Sequence, residues 1–165
     1  MIFIPMIKLK SLLFESKFNI GPVYHGTDAE YDTFDISKIG AATQTVVRGF
    51  FFTDDVTLAR KFGKRVIVAY LSLKNPMIID AEGRNVRAVL GAYEEGNARE
   101  NGKDGFIVKN VVDALGYVVS IGNWSSENTT NLFIVFDEHQ IRVDKIILGT
   151  DSNQTNLHSK GKNSI

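Results

Sequence analysis

The 165-residue chain contains no cysteine. Disulfides, thiolate catalysis and cysteine-based zinc sites are therefore excluded. Histidine is also scarce: His25, His139 and His158 show no His-x-x-x-His spacing, so we expect no metal site. A net charge is absent too, because 19 basic residues balance 19 acidic ones. Such a chain is not built mainly to hold nucleic-acid phosphates, although it can still carry a local basic patch.

Long apolar runs are missing as well. The first residues, MIFIPMIKLKSLLFES, are interrupted by Pro5, Lys8 and Lys10. This argues against a membrane span and against a secretory apolar core of normal length. We therefore expect a cytoplasmic protein that has no secretion signal and no membrane partner.

Composition divides the chain into three parts. Residues 1–20 are interpreted as a peripheral N-terminal segment. Residues 21–149 show no linker or repeat and are numerous enough to bury one hydrophobic core, so we expect a single domain there. Residues 150–165 hold almost no large apolar side chain and are expected to form a disordered polar tail.

Short runs of apolar, β-branched and aromatic residues predict strands. The run RVIVAYLSL (65–73) is apolar on both faces, as a central strand is. The other predicted strands share this character and cover residues 23–25, 49–53, 76–80, 105–108, 116–121, 131–136 and 145–148. Many strands with few helices predict an α+β domain with two packed β-sheets.

Helical patterns are fewer. Thr53, Asp54 and Asp55 form a capping region before VTLARKFG (56–63), which predicts a short helix ending near Gly63. A second helix is predicted within residues 81–96 and a third, weaker one within residues 109–115.

His25-Gly26-Thr27, which stops an apolar run, is the first candidate for a functional site. A histidine at a strand end can present a ring nitrogen to a hydroxyl or a phosphate. The glycine would let a ligand approach backbone N–H and C=O groups without a Cβ in the way. The alternative is a turn in which the histidine merely caps the strand, and the residue types alone favour that alternative.

The second candidate is Gly49-Phe50-Phe51-Phe52-Thr53. Along a strand, Phe50 and Phe52 point one way and Phe51 the other. The two faces cannot belong to the same core, so one ring system faces a second layer or a cleft, where it can stack on a flat heterocycle. The alternative is that these rings, and Phe62 after the predicted helix, are all core residues, and the residues alone favour it.

A third candidate is the strand 131–136, which runs into a polar turn holding Asp137, Glu138, His139 and Gln140. Carboxylates and histidine can exchange protons with a substrate. An exposed turn has the same composition, and that alternative is the favoured one.

In this order, YHGT (24–27), GFFFT (49–53), DGFIVKNVVD (104–113) and FIVFDEHQI (133–141) resemble the ADP-ribosyltransferase fold. The resemblance is to its diphtheria-toxin and PARP-like branch, which has a His, Tyr, Glu triad, and most of all to the ADP-ribosyltransferase domains of phage and mobile-element polyvalent proteins. It covers about residues 22–148. It implies two packed, mainly antiparallel β-sheets that form a split β-sandwich with a few short helices.

The resemblance also implies an activity. Such domains cleave the nicotinamide–ribose bond of NAD and transfer ADP-ribose to an acceptor, which here is unknown: a protein is expected, with nucleic acid or a small molecule as alternatives. It implies a toxin or effector in the cytoplasm of a bacterial host, or one delivered by a phage. Two other functions stay open, namely an NAD-binding domain without catalysis and a phage structural or interaction protein that uses this fold.

Several site residues follow from the resemblance. His25 is implied to hydrogen-bond the adenosine ribose of NAD, and the Gly26 backbone to hold the nicotinamide carboxamide. Thr27 matches the small hydroxyl residue that comes next. Arg48 is a candidate contact for the pyrophosphate, with a solvated surface arginine as the alternative.

The nicotinamide slot and the catalytic acid are also implied. Phe51 stands where the family has a tyrosine that stacks on nicotinamide, and Phe62 matches the aromatic residue on the opposite wall. Leu132 stands where the family has a glutamate, whose carboxylate stabilises the oxocarbenium ion. Asn131 is the adjacent polar candidate for that catalytic role, and Gln140, Glu127 and Glu138 are the other polar candidates nearby.

Overall fold

The computed structural model describes residues 17–39, 47–112 and 129–149. The strands in these ranges are β1 (Ile20–Thr27), β2 (Phe50–Thr53), β3 (Arg65–Leu71), β4 (Met77–Asp80), β5 (Gly105–Val111), β6 (Thr130–Val135) and β7 (Ile141–Leu148). The α-helices are α1 (Val56–Arg60), α2 (Val86–Val89) and α3 (Ala92–Glu100). Short 3₁₀ turns cover Ile36–Lys38 and Glu138–Gln140.

Hydrogen bonds link the strands in the order β4-β5-β6-β2-β1-β3-β7. Neighbouring strands are antiparallel, except that β4 and β5 are parallel. The middle of this order is weakly joined, because β1 and β2 pair at one position, Tyr24 opposite Thr53. The sheet is therefore split into a first half-sheet (β1, β3 and β7) and a second half-sheet (β4, β5, β6 and β2).

The two half-sheets face each other across one hydrophobic core, which we name the inner core. Its buried members come from β1 and β3, from β2 and β6, and from adjoining turns: Val23, Phe34, Phe50, Phe52, Ile67, Ala69, Leu71, Leu73 and Val135. Because a single cluster takes side chains from both half-sheets, they pack as the two layers of a sandwich. The predicted α+β class and the split, mainly antiparallel β-sandwich are thereby confirmed.

A second cluster, the helix-side core, lies on the other face of the second half-sheet. It is formed by buried apolar side chains from the helices, from β5 and β6, and from adjoining turns: Val47, Leu58, Ala81, Val86, Leu90, Ala98, Phe106, Val108, Val111, Leu132 and Ile134. Phe51 packs against this cluster, whereas Phe50 and Phe52 belong to the inner core. The alternation predicted for the three phenylalanines is confirmed, and β2 lies between two layers.

Some of the predicted elements differ in the structure. Strand β5 continues to Val111, so the helix predicted within 109–115 is wrong for residues 109–111: Lys109 pairs with β4 and Val111 with β6. The helix predicted within 81–96 is two helices, separated where Leu90 and Gly91 have an extended backbone. The predicted strand 116–121, the tail 150–165 and most of the N-terminal segment lie outside the described residues. No helix in the described ranges has the length and apolar character needed to cross a membrane.

Helix α1 begins as predicted and packs closely on β1. The side chain of Asp55 accepts hydrogen bonds from the backbone N–H groups of Thr57 and Leu58, which caps the helix. The other end of α1 lies against Gly26: a Cβ there would fall 1.7 Å from the Ala59 carbonyl oxygen. Glycine is therefore required at this position by the packing of the helix itself.

We expect Gly26→Ala to lower the free energy of unfolding by about 3 kcal/mol, because the added methyl group meets rigid backbone atoms. Urea denaturation measures this change. Gly96→Ala is the matched control, since nothing lies within 4 Å of a Cβ built in the middle of α3. That substitution is expected to raise the free energy of unfolding by about 0.5–1 kcal/mol. A neutral effect of Gly26→Ala would contradict the close approach of α1 to β1.

Candidate active site

The split between β1 and β2 brings the first two motifs together. Since these antiparallel strands pair at Tyr24 and Thr53, His25 comes opposite Phe52 and Gly26 opposite Phe51. The side chain of His25 then crosses the gap, with Nδ1 2.7 Å from the carbonyl oxygen of Phe51. The imidazole ring of His25 thus links β1 to β2, whereas backbone hydrogen bonds link neighbouring strands elsewhere in the sheet.

The surroundings of His25 determine its tautomer. A carbonyl oxygen only accepts hydrogen bonds, so Nδ1 carries the proton and donates it to Phe51. Nε2 of the neutral ring is then an acceptor, and the hydroxyl of Tyr31, 2.9 Å away, donates to it. The Thr27 hydroxyl bonds to Tyr31 and itself accepts from the N–H of Ala29 at 3.1 Å. These hydrogen bonds run in one direction across the split and reinforce one another.

Burial keeps this chain of hydrogen bonds neutral. It lowers the pKa of the His25 imidazole below the ordinary value of 6.5, and the hydrogen bond to the Phe51 carbonyl opposes that shift. The rings of Phe34 and Phe52, with centroids 5.3 and 5.6 Å from that of His25, provide the apolar environment. Burial also raises the pKa of Tyr31, against the effect of its hydrogen bond with Thr27.

Gly26, Phe51 and Phe62 lie on the helix side of the split. The Cβ of Phe62 is 3.1 Å from the position that a Cβ on Gly26 would take, and 44% of Phe62 is exposed. Phe51 is half-buried and directed to this side, where it packs against the helix-side core. His25 and Thr27 are directed to the inner side. The structure therefore brings all five of these predicted residues to one split, on its two sides.

Asn131 lies near the start of β6, where Asp54 holds it. Its backbone N–H and its Nδ2 donate to the Asp54 carboxylate at 3.0 and 2.7 Å. Its Oδ1 accepts from the N–H of Asn110 at 3.3 Å. The next residue, Leu132, is 5% exposed and belongs to the helix-side core. Leu132 pairs with Thr53 and so lies on the same face as Phe51; that Leu132 stands at the position of the family's glutamate stays a prediction.

Gln140 lies apart from these residues. Its Oε1 accepts from the N–H groups of Phe136 and Asp137 at 3.0 and 2.9 Å. Its Nε2 donates to the carbonyl oxygens of Ser72 and Asp104 at 2.9 and 2.8 Å. Because Ser72 follows β3 and Asp104 precedes β5, this side chain ties the two half-sheets together. Its full set of hydrogen bonds favours a structural role over a catalytic one.

Arg48 lies just before β2, and helix α3 holds its backbone. The N–H of Arg48 donates to the Glu95 carboxylate at 3.0 Å, and its carbonyl accepts from Arg99 at 2.9 Å. Glu95 and Arg99 form an ion pair at 2.8 Å, which keeps both partners in place. The Arg48 residue is exposed, and its contact with pyrophosphate stays a prediction.

Three residues of the split carry no motif and were missed by the sequence analysis. Tyr31 and Asp32 belong to the polar turn after β1, and Arg65 opens β3 opposite Thr27. Nη2 of Arg65 lies 3.0 Å from Oδ1 of Asp32. The only sequence signal is a tyrosine within a polar turn, a pattern too common to single out a site.

A split β-sandwich with His-Gly-Thr at the split and an aromatic residue on the facing strand defines an ADP-ribosyltransferase-like domain. The family model described as ADP-ribosyltransferase in polyvalent proteins matches residues 20–154, a range that includes every strand and α-helix described above. The chain therefore belongs to this family, and the resemblance carried by its motifs is confirmed. No curated protein matches the chain.

The lowered pKa of His25 predicts a pH-dependent stability. As the pH falls below 6.5, the unfolded chain binds a proton on His25 that the folded protein does not bind, so acidification favours unfolding. Urea denaturation between about pH 7 and pH 5 is expected to show this loss, and His25→Gln is expected to remove part of it. An unchanged pH dependence in His25→Gln would contradict the neutral, buried imidazole.

The bonds of Gln140 predict a loss of stability on truncation. Gln140→Ala leaves two backbone N–H groups and two carbonyl groups without this partner. The free energy of unfolding should fall by about 2–3 kcal/mol in urea denaturation. Glu100→Ala, at the exposed end of α3, serves as the control and should change it by less than about 0.5 kcal/mol. Equal effects of the two variants would show that Gln140 does not hold the half-sheets together.

Proposed function

We propose that this protein is an NAD-dependent ADP-ribosyltransferase, which cleaves the nicotinamide–ribose bond of NAD and transfers ADP-ribose to an acceptor. The observation that carries the proposal is the hydrogen bond from His25 to the Phe51 carbonyl, which sets the two motif strands side by side in a member of this family. We expect the acceptor to be a protein, with nucleic acid as the alternative.

The helix side of the split would hold nicotinamide. Phe62 is partly exposed and Phe51 is half-buried, and the rings of both can stack on a flat heterocycle. The backbone of Gly26 lies beside them and would bond to the carboxamide. Phe51 lacks the hydroxyl of the family's tyrosine, so it supports stacking but no step that needs a phenol.

The inner side would hold the adenosine ribose. Nε2 of His25 already accepts a hydrogen bond from a hydroxyl, that of Tyr31. A ribose hydroxyl can make the same bond when it displaces the tyrosine, so neither the tautomer nor the charge of His25 has to change.

The reaction would proceed by loss of nicotinamide. The glycosidic bond between nicotinamide and the ribose breaks, and its electron pair leaves with nicotinamide, which departs as a neutral molecule. The ribosyl carbon becomes an oxocarbenium ion, and the acceptor nucleophile bonds to it and gives up its proton. Asn131, whose amide Asp54 holds, is the polar residue next to Leu132 and is the candidate for a role at this centre.

Leu132 favours a second candidate function, NAD binding with little or no turnover. The position of the family's glutamate is occupied by a buried leucine in the helix-side core. Removal of one preorganised group that stabilises the transition state costs about two to three orders of magnitude in rate. An amide at Asn131 would replace the carboxylate's hydrogen bond but not its charge.

We expect the purified protein, incubated with NAD and a cell lysate, to release nicotinamide at least about tenfold faster than His25→Ala, because that variant loses the hydrogen bonds that hold the split. His139→Ala is the matched control, and Phe51→Tyr should retain activity because it keeps the stacking face. Calorimetry with NAD completes the experiment. Binding of NAD without nicotinamide release would select the second candidate function. If the protein neither binds NAD nor releases nicotinamide, both candidate functions are contradicted.

A further inference from the structure

We propose that Arg65 forms an anion subsite on the inner side of the split, which takes the phosphate groups of a dinucleotide, and that the Asp32 carboxylate competes with those phosphates. The identity of the dinucleotide as NAD rests on the proposed function. The subsite itself rests on the surroundings of Arg65.

Arg65 lies on the same side of the first half-sheet as His25 and Thr27. Its Cα pairs with that of Thr27, and directly opposed residues of antiparallel strands point to the same face. The alternate residues of β3, Ile67 and Ala69, are in the inner core, which fixes this face as the inner one. Arg65 therefore stands at the end of the inner core, beside the hydrogen bonds that cross the split.

The guanidinium of Arg65 has a hydrogen-bond donor without a partner among the described residues. Its side chain is 20% exposed, whereas that of its ion-pair partner Asp32 is 80% exposed. Nη2 donates to Oδ1 of Asp32 at 3.0 Å, but Nε is buried and has no hydrogen-bond partner in the described part of the chain. Nε and Nη2 form one edge of the planar guanidinium, the edge that binds both oxygens of a phosphate or carboxylate. Asp32 uses only one half of that edge.

The turn that carries Tyr31 and Asp32 presents the chemical groups of a nucleotide. The Tyr31 hydroxyl bonds to the imidazole of His25, and the carboxylate of the next residue bonds to the guanidinium of Arg65. A ribose hydroxyl with an adjacent phosphate offers the same pair of groups. The ion pair of Asp32 is a single contact to an exposed carboxylate, a type of pair that contributes little to stability. A phosphate that engages both Nε and Nη2 would displace it.

Arg142 shows that a buried, unpartnered Nε alone does not make such a subsite. It is the other arginine with this feature among the described residues. Its guanidinium lies over the rings of Tyr70 and Phe18, at 4.6 and 5.6 Å from their centroids, so cation–π contacts stabilise the charge. It pairs with Tyr70 in register, on the face of β3 opposite to the inner core. Arg142→Gln is therefore a matched control for Arg65→Gln.

Calorimetry with three probes tests the proposal: NAD, ADP as a phosphate without nicotinamide, and nicotinamide riboside as the phosphate-free part of NAD. Arg65→Gln should weaken the binding of NAD and of ADP by about tenfold or more, because a charge-assisted pair of hydrogen bonds is lost. Nicotinamide riboside should bind this variant as it binds the wild type. Asp32→Asn should tighten the binding of NAD and ADP several-fold, and Arg142→Gln should leave all three unchanged.

Different results would overturn the subsite and the proposed function. Wild-type affinity of Arg65→Gln for NAD and ADP, or no tightening in Asp32→Asn, would overturn the subsite while leaving NAD binding intact. Binding of ADP that depends on Arg65, without any binding of NAD or nicotinamide riboside, would support the subsite and overturn the proposed function. If no probe binds the wild type, both fail. If thermal unfolding shows that Arg65→Gln is not folded, Arg65→Lys replaces it in the experiment. This variant keeps the charge but not the planar edge, so it should also weaken the binding of NAD.

Discussion

The hydrogen bond between His25 and the Phe51 carbonyl is the interaction on which the arrangement of this domain depends. Strands β1 and β2 pair at one backbone position and then diverge, because one half-sheet must turn away to enclose the inner core. At the point of divergence the backbone groups of β2 need another partner, and the imidazole provides it at 2.7 Å. The same side chain that joins the two strands thereby stands at the split, and its second nitrogen bonds to the Tyr31 hydroxyl.

The split is held from both ends. Gln140 ties Ser72 to Asp104 on one side of the sandwich, through hydrogen bonds that use both its amide nitrogen and its oxygen. Helix α1 closes over Gly26 on the other, at a distance that only glycine permits. Between these two fixed points, the described part of the split is lined by side chains and not by paired backbone. The frame of the domain is thus fixed on both sides of the split.

Under the proposed function, substrate groups would replace these protein groups without a change of charge on His25. Burial keeps His25 neutral by lowering its pKa, and the Tyr31 hydroxyl donates to Nε2 as a sugar hydroxyl would. The Asp32 carboxylate meets Arg65 as a phosphate would. On the helix side Leu132 is a buried apolar residue of the core, where the resemblance leads us to expect a carboxylate.

The local pattern of the chain determined the features that depend on near neighbours. The alternation of Phe50, Phe51 and Phe52 placed β2 between two layers, and Asp55 capped the helix that it precedes. The order of the motifs along the chain indicated the family and, with it, the split β-sandwich. Only the tertiary structure decided that β5 continues where a helix was predicted, since its pairing with β4 and β6 overrides local propensity, and that Gln140 joins two half-sheets. It alone brought Arg65 to Tyr31 and Asp32, because strand register across the fold, and not spacing along the chain, sets which side chains meet.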